Sequence, residues 1–260
     1  MHRWLCCLFL FLIGCSTTQL ISSSFKFTPP TEPWGLLAAL PTGPSPNGKP
    51  DRFAVIIGLN AEDRHRGNIS LAYQVLVESG FKSDSIFILD IASTTPIFPK
   101  TDTTSLASVR LLMKFLSEFV DEQDEVVVYV TGHGRIIEKE PHLVLNPSEF
   151  MASSEFLASL DAIRPGRGLV IFDQCYWSEE FHPKSCRWAT MTVARPGMES
   201  TGSMLPRQFW YAIRQGVHDV SEAFNLARFR DDNTRSGEND PKFLPRSCGI
   251  EKTADSVIQY

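Results

Sequence analysis

From residue 51 onward, apolar positions fall into two alternating rhythms. Short apolar runs at 53–60 (FAVIIGLN), 85–89 (SIFIL), 125–130 (EVVVYV) and 168–172 (GLVIF) have the length and Val/Ile/Phe content of buried strands. Between them, apolar residues recur with helical spacing over 70–80 (SLAYQVLVESG, closed by Gly80), 104–120 (TSLASVRLLMKFLSEFV) and 153–163 (SSEFLASLDAI, with Ser153 or Ser154 as cap). Beyond the fourth run, 186–194 offers a further strand, and 205–216 and 220–230 read as helices. There is no internal repeat. Strands alternating with helices imply a mainly parallel sheet with helices on both faces, so the expected class is α/β.

The rhythm starts late. Met1-His2-Arg3 is a short basic start, and Trp4 to Ile13 is an apolar run too short to span a bilayer as a stable helix, so residues 1–15 read as an export signal. Leu12-Ile13-Gly14-Cys15 resembles the lipobox of bacterial lipoproteins, which implies lipidation of Cys15 and anchoring in a membrane. The alternative is an ordinary cleaved signal with incidental cysteines. Ser16 after the cysteine resembles lipoproteins sorted to the outer membrane, facing the periplasm. Residues 16–50, rich in Ser, Thr, Pro and Gly, read as a tether; 51–230 form the domain; 231–260, polar and rich in Asp, Asn, Ser and Gly, read as a tail.

Composition narrows the partners. A 260-residue chain with 43% apolar residues has ample material for one large domain. A net charge of -5 without a lysine or arginine run excludes nucleic acid. His142, His182 and His218 lack metal-ligand spacing, so neither a metal nor another cofactor is expected. Of six cysteines, Cys6 and Cys7 leave with the signal and Cys15 takes the lipid, leaving Cys175, Cys186 and Cys248. An odd number in an exported chain leaves a thiol unpaired, and such a thiol is a candidate nucleophile. Cys186 and Cys248 are a candidate disulfide.

In parallel sheets, ligands bind outside the carboxyl ends of the strands. The first strand runs into Asn60 and Ala-Glu-Asp-Arg-His-Arg-Gly, the third ends in His133 and Gly134, and the fourth in Asp173-Gln174-Cys175. Cys175 and His133 are a nucleophile and an acid/base at corresponding strand ends. Gly134, with no side chain, lets its N–H face a developing oxyanion, and the Cys175 N–H is the second donor. Taken singly, His133 reads as a turn histidine and Cys175 as an inert buried thiol; together they favour catalysis.

The segments YVTGHG (129–134) and IFDQC (171–175) resemble the catalytic motifs of the caspase-like cysteine peptidases. Residues 64–92 resemble the Arg-His segment, helix and second strand of the legumain family, which includes the catalytic subunit of glycosylphosphatidylinositol transamidase. The resemblance spans about residues 53–210 and implies a caspase-like three-layer sandwich with a mainly parallel central sheet. It implies His133 as general acid/base, Cys175 as nucleophile, and Gly134 with Cys175 as oxyanion donors. Arg64, His65 and Asp173 are implied to line the pocket for the residue before the scissile bond. The implied activity is peptide cleavage after Asn or Asp through a thioester.

Two positions depart from the family pattern. Tyr176-Trp177 follow the cysteine where small residues are usual, and Arg207-Gln208 stand where a second acidic residue is expected. Two alternatives stay open: transamidation through the same thioester, and a non-catalytic interaction module on the same fold. The expected partners are a peptide or protein substrate and the membrane; oligomeric state is open.

Overall fold

The computed structural model describes residues 50–59, 62–91, 101–195, 197–200, 204–237 and 239–245. The signal and lipidation site at Cys15, the tether as far as residue 49, Asn60 and Cys248 therefore lie outside the described residues. In chain order the elements are β1 (Arg52–Gly58), α1 (Asp63–Glu78), a 3-10 turn (Ser83–Ser85), β2 (Ile86–Asp90), β3 (Thr101–Asp102), α2 (Leu106–Phe119), β4 (Glu125–Gly132), β5 (Gly134–Ile137), β6 (Glu140–Asn146), β7 (Glu149–Ala152), α3 (Ser153–Ala162), β8 (Arg167–Gln174), β9 (Trp188–Thr192), α4 (Leu205–Arg214), α5 (Val220–Arg230), α6 (Asp232–Arg235) and β10 (Lys242–Leu244).

Seven strands form the central sheet in the order β10-β9-β8-β4-β1-β2-β3. All pair parallel except β10, which runs antiparallel to β9. Residues alternate between the faces. Ala54, Ile56, Val127, Tyr129, Leu169 and Ile171 pack with α1, α4 and α5, whereas Val55, Ile57, Val126, Val128, Val170 and Phe172 pack with α2 and α3. The result is a mixed α/β sandwich of three layers, helices over a mostly parallel sheet over helices, as the near-continuous apolar runs require. Among the described residues, no helix is long and apolar enough to cross a membrane.

The chain leaves β1 toward β2 on one side and returns to β4 on the other, so β1 and β4 flank a switch point at their carboxyl ends. The β4–β8 register pairs Thr131 with Asp173 and Gly132 with Gln174. His133 and Cys175 are thus the next residues on two neighbouring strands. Gly132 has φ +138°, and a Cβ there would stand 2.6 Å from Leu59 Cβ. Only glycine lets β4 end against β1 and swing His133 out of the sheet.

Four local readings are corrected. Helix α1 begins at Asp63 and not at Ser70, so Arg64 and His65 sit in its first turn and not in a loop. The N-cap of α3 is Ala152, without a side-chain cap bond; Glu140 on β6 accepts from the Ser154 N–H and the Ser153 hydroxyl instead. Antiparallel strands β5, β6 and β7 form a second sheet that apolar periodicity does not announce. Lastly, the segment read as a tail contributes α6 and the edge strand β10, and Asp231 within it is buried and caps α6.

Candidate active site

A cleft of about 620 Å³ opens at the carboxyl ends of β4 and β8, lined by Arg64, His65, His133, Gly134, Asp173 and Cys175, among others. All six residues named from the sequence therefore meet in one place. Cys175 is a free, half-buried thiol, whereas Cys186 is disulfide-bonded. Because Cys248 lies outside the described residues, the proposed pairing with it does too.

His133 stands just beyond β4, with its side chain 53% exposed and Nε2 3.4 Å from Glu62 Oε1. Glu62 is the residue before α1 and is half exposed. A carboxylate beside Nε2 orients the ring. Sequence reading passed over Glu62; its signal was an acidic residue just ahead of the helix that carries Arg64 and His65.

Close approach by itself demands a glycine at position 134. A Cβ built there would fall 2.2 Å from the Cys175 carbonyl oxygen. The Val144 N–H donates to the His133 carbonyl at 3.2 Å, and Gly134 lies opposite Leu143 on β6. Hydrogen-bonded and non-hydrogen-bonded pairs alternate in an antiparallel ladder, so Gly134 occupies a non-hydrogen-bonded position. Its N–H therefore points off the free edge of β5, away from β6. Pro141, opposite Ile136 in the same ladder, also falls at a position that needs no N–H.

On the α1 side, Asp173 is 5% exposed and its Oδ2 accepts from three donors: Thr131 Oγ1 at 2.7 Å, Tyr129 Oη at 2.9 Å and Asn68 Nδ2 at 3.3 Å. Strand alternation explains this, since positions 129, 131 and 173 all face α1. Burial, and then the Asp173 charge, push the Tyr129 phenol well above its ordinary range, so it remains a donor. His65, 2% exposed, has Nδ1 2.7 Å from Thr131 Oγ1 and Nε2 2.8 Å from the Arg64 guanidinium. Burial is the main cause holding His65 below its ordinary value; Arg64 and His133 reinforce it, and Asp173 and Glu62 oppose it. Asp173 thus serves as the anchor of a hydrogen-bond network in addition to lining the cleft.

The two aromatic residues after Cys175 part ways. Trp177 is fully buried, its ring stacked on Phe172 at 4.4 Å and its Nε1–H donating to the Phe181 carbonyl at 2.9 Å. It belongs to the core and does not narrow the cleft. Tyr176 adopts φ +65°, donates its N–H to the Met198 carbonyl at 2.8 Å and its hydroxyl proton to Glu199 at 2.7 Å. This ties residues 198–200 against Cys175, whose thiol lies 3.9 Å from the Ser200 carbonyl. Arg207 sits outside the cleft lining, with its guanidinium 5.8 Å from the Tyr211 ring centre. No family model matches the chain, and no curated protein is significantly similar to it.

Proposed function

We propose that this chain is an exported, lipid-anchored cysteine endopeptidase of the caspase-like, legumain-related kind, cleaving after Asn or Asp. The observation that carries the proposal is the meeting of a free thiol, Cys175, with His133 at register-matched strand ends in one cleft that also holds Arg64. In the reaction, His133 takes the Cys175 proton and the thiolate attacks the scissile carbonyl carbon. The oxyanion is held by the N–H groups of Gly134 and Cys175. Protonated His133 gives its proton to the departing amine, leaving a thioester on Cys175. Water, deprotonated by His133, attacks the thioester; its collapse releases the acid and the thiol is reprotonated. Interception by an amine instead of water makes the same intermediate a transamidase. Arg64 donates to the side-chain oxygen of Asn or Asp.

A non-catalytic interaction module is the second reading, favoured by the contacts of the thiol with Ser200. An electrophilic peptide probe with Asn before the warhead separates the two. The peptidase reading expects one covalent adduct on Cys175, found by mass spectrometry, and far slower labelling of His133→Ala. No adduct, or equal labelling by a probe carrying Lys, would overturn it.

A further inference from the structure

The hydrogen bonds around His65 have only one self-consistent direction. A guanidinium can only donate, so at 2.8 Å from Arg64 the His65 Nε2 must present its lone pair. The neutral ring then carries its proton on Nδ1, which donates to Thr131 Oγ1 at 2.7 Å. Thr131 has a single hydroxyl proton, and with its oxygen accepting from His65 that proton goes to Asp173 Oδ2 at 2.7 Å. Every donor in the series Arg64, His65, Thr131 points toward Asp173, and Tyr129 and Asn68 donate to the same carboxylate oxygen. Protonating Nε2 would set a donor against the donor of Arg64. Glu62 Oε2, 4.0 Å from Nε2, is too distant to compete as a hydrogen-bond partner.

We propose that Thr131 is a positioning residue for the specificity pocket: its fully buried hydroxyl fixes His65 as the Nδ1-protonated neutral tautomer, and so makes Nε2 the acceptor that holds the Arg64 guanidinium in the cleft. The assignment of a pocket to Arg64 rests on the peptidase reading; the tautomer does not. Arg64 is exposed and its side chain is long, so without that acceptor it samples many rotamers and substrate binding must order it. The chemistry step is untouched, because neither Thr131 nor His65 is placed on the reacting atoms. The expected signature is weakened substrate binding with turnover retained.

The test joins a spectroscopic and a kinetic readout. In ¹⁵N-labelled protein at neutral pH, the His65 ring is expected to show a protonated Nδ1 and an unprotonated Nε2. Thr131→Val, which keeps the shape and removes both hydrogen bonds, should abolish that pattern, and Thr131→Ser should restore it. For a peptide with Asn before the cut bond, Thr131→Val is expected to raise KM on the order of 10-fold, the scale of one lost charge-assisted hydrogen bond. Thr131→Ser is expected to recover the parental KM, and kcat should change far less than KM in either variant. A wild-type His65 protonated on Nε2, alone or with Nδ1, overturns the proposal; this holds even where Thr131→Val fails to fold. So does a Thr131→Val protein with parental tautomer and KM. Absence of turnover in the wild type would defeat the peptidase reading alone, and the ring tautomer would still decide the role of Thr131.

Discussion

The two walls of the cleft are built on opposite principles. On the α1 wall, Asp173 and Thr131 are buried and directly hydrogen-bonded, and His65 is joined to them, so each group has one place to be. On the other wall, His133 is 53% exposed and Cys175 half-buried, with the thiol facing Ser200 at 3.8–3.9 Å. A recognition surface gains from being rigid before the ligand arrives, since ordering it on binding costs affinity. A nucleophile and base must instead remain accessible to a peptide bond and to water, and their hydrogen bonds tighten only when substrate is present. The contrast predicts that mutations on the two walls separate activity from stability.

The largest expected effect is on the reactive wall. Cys175→Ala or His133→Ala should cut peptide hydrolysis on the order of 10³-fold or more while leaving the melting temperature close to that of the parent. The mirror experiment is Asp173→Ala, which leaves Tyr129, Thr131 and Asn68 without their shared acceptor. It should destabilise the domain by about 3 kcal/mol, the scale of breaking a buried charged network. Peptide hydrolysis and denaturant unfolding of the three variants measure the two effects. Equal destabilisation of all three would erase the distinction between the walls.

A smaller effect is expected where the walls meet. Gly134→Ala drives a methyl group into the Cys175 carbonyl at 2.2 Å, and that contact is backbone, which cannot rotate aside. The displaced Gly134 N–H should lower kcat by about 10²-fold, in the range for loss of one oxyanion donor. Binding of a product-like peptide, which engages mainly the α1 wall, should weaken far less. If binding and kcat fell together, the glycine would be supporting the cleft as a whole and not the oxyanion.

Much of the scaffold was legible because its strands are buried on both faces and read as apolar runs, and because a parallel sheet has one ligand-binding rim. The six site residues named from the sequence converge for that reason. The first turn of α1 was missed because the buried residues of its start, His65 and Asn68, are polar and the others from Asp63 to Gly67 carry no apolar side chain, so apolar periodicity has nothing to register there. The β5–β7 sheet was missed because β5 has no buried residue and β7 only Met151, so that β6, which alternates half-buried and buried positions, stands between two strands without an apolar run. The α3 cap comes from Glu140 on another element, which no local window can show. The Asp173 network lies between these cases. Strand alternation puts positions 129, 131 and 173 on one face, but only the register decides that Thr131 stands opposite Asp173.

The smallest expected effect tests whether the rigid wall depends on a neutral His65. Its folded-state value lies below the ordinary 6.5, chiefly through burial, with Arg64 and His133 acting in the same direction and Asp173 and Glu62 against it. Below that ordinary value the unfolded chain binds a proton at this position and the folded chain resists doing so. The contribution of neutral His65 is therefore complete above 6.5 and declines as pH falls toward its folded-state value, with a slope of at most about 1.4 kcal/mol per pH unit for one proton. Protonation of Nε2 in the folded protein also expels the Arg64 donor, so KM for Asn substrates should rise only as pH falls through the lowered folded-state value, below the interval in which the stability is lost. His65→Gln removes the titrating ring and should flatten this part of the stability profile. Urea unfolding of wild type and variant across mildly acidic to neutral pH supplies the measurement. Parallel profiles for the two proteins would mean that His65 does not titrate against folding, and that the rigidity of this wall owes nothing to its charge state.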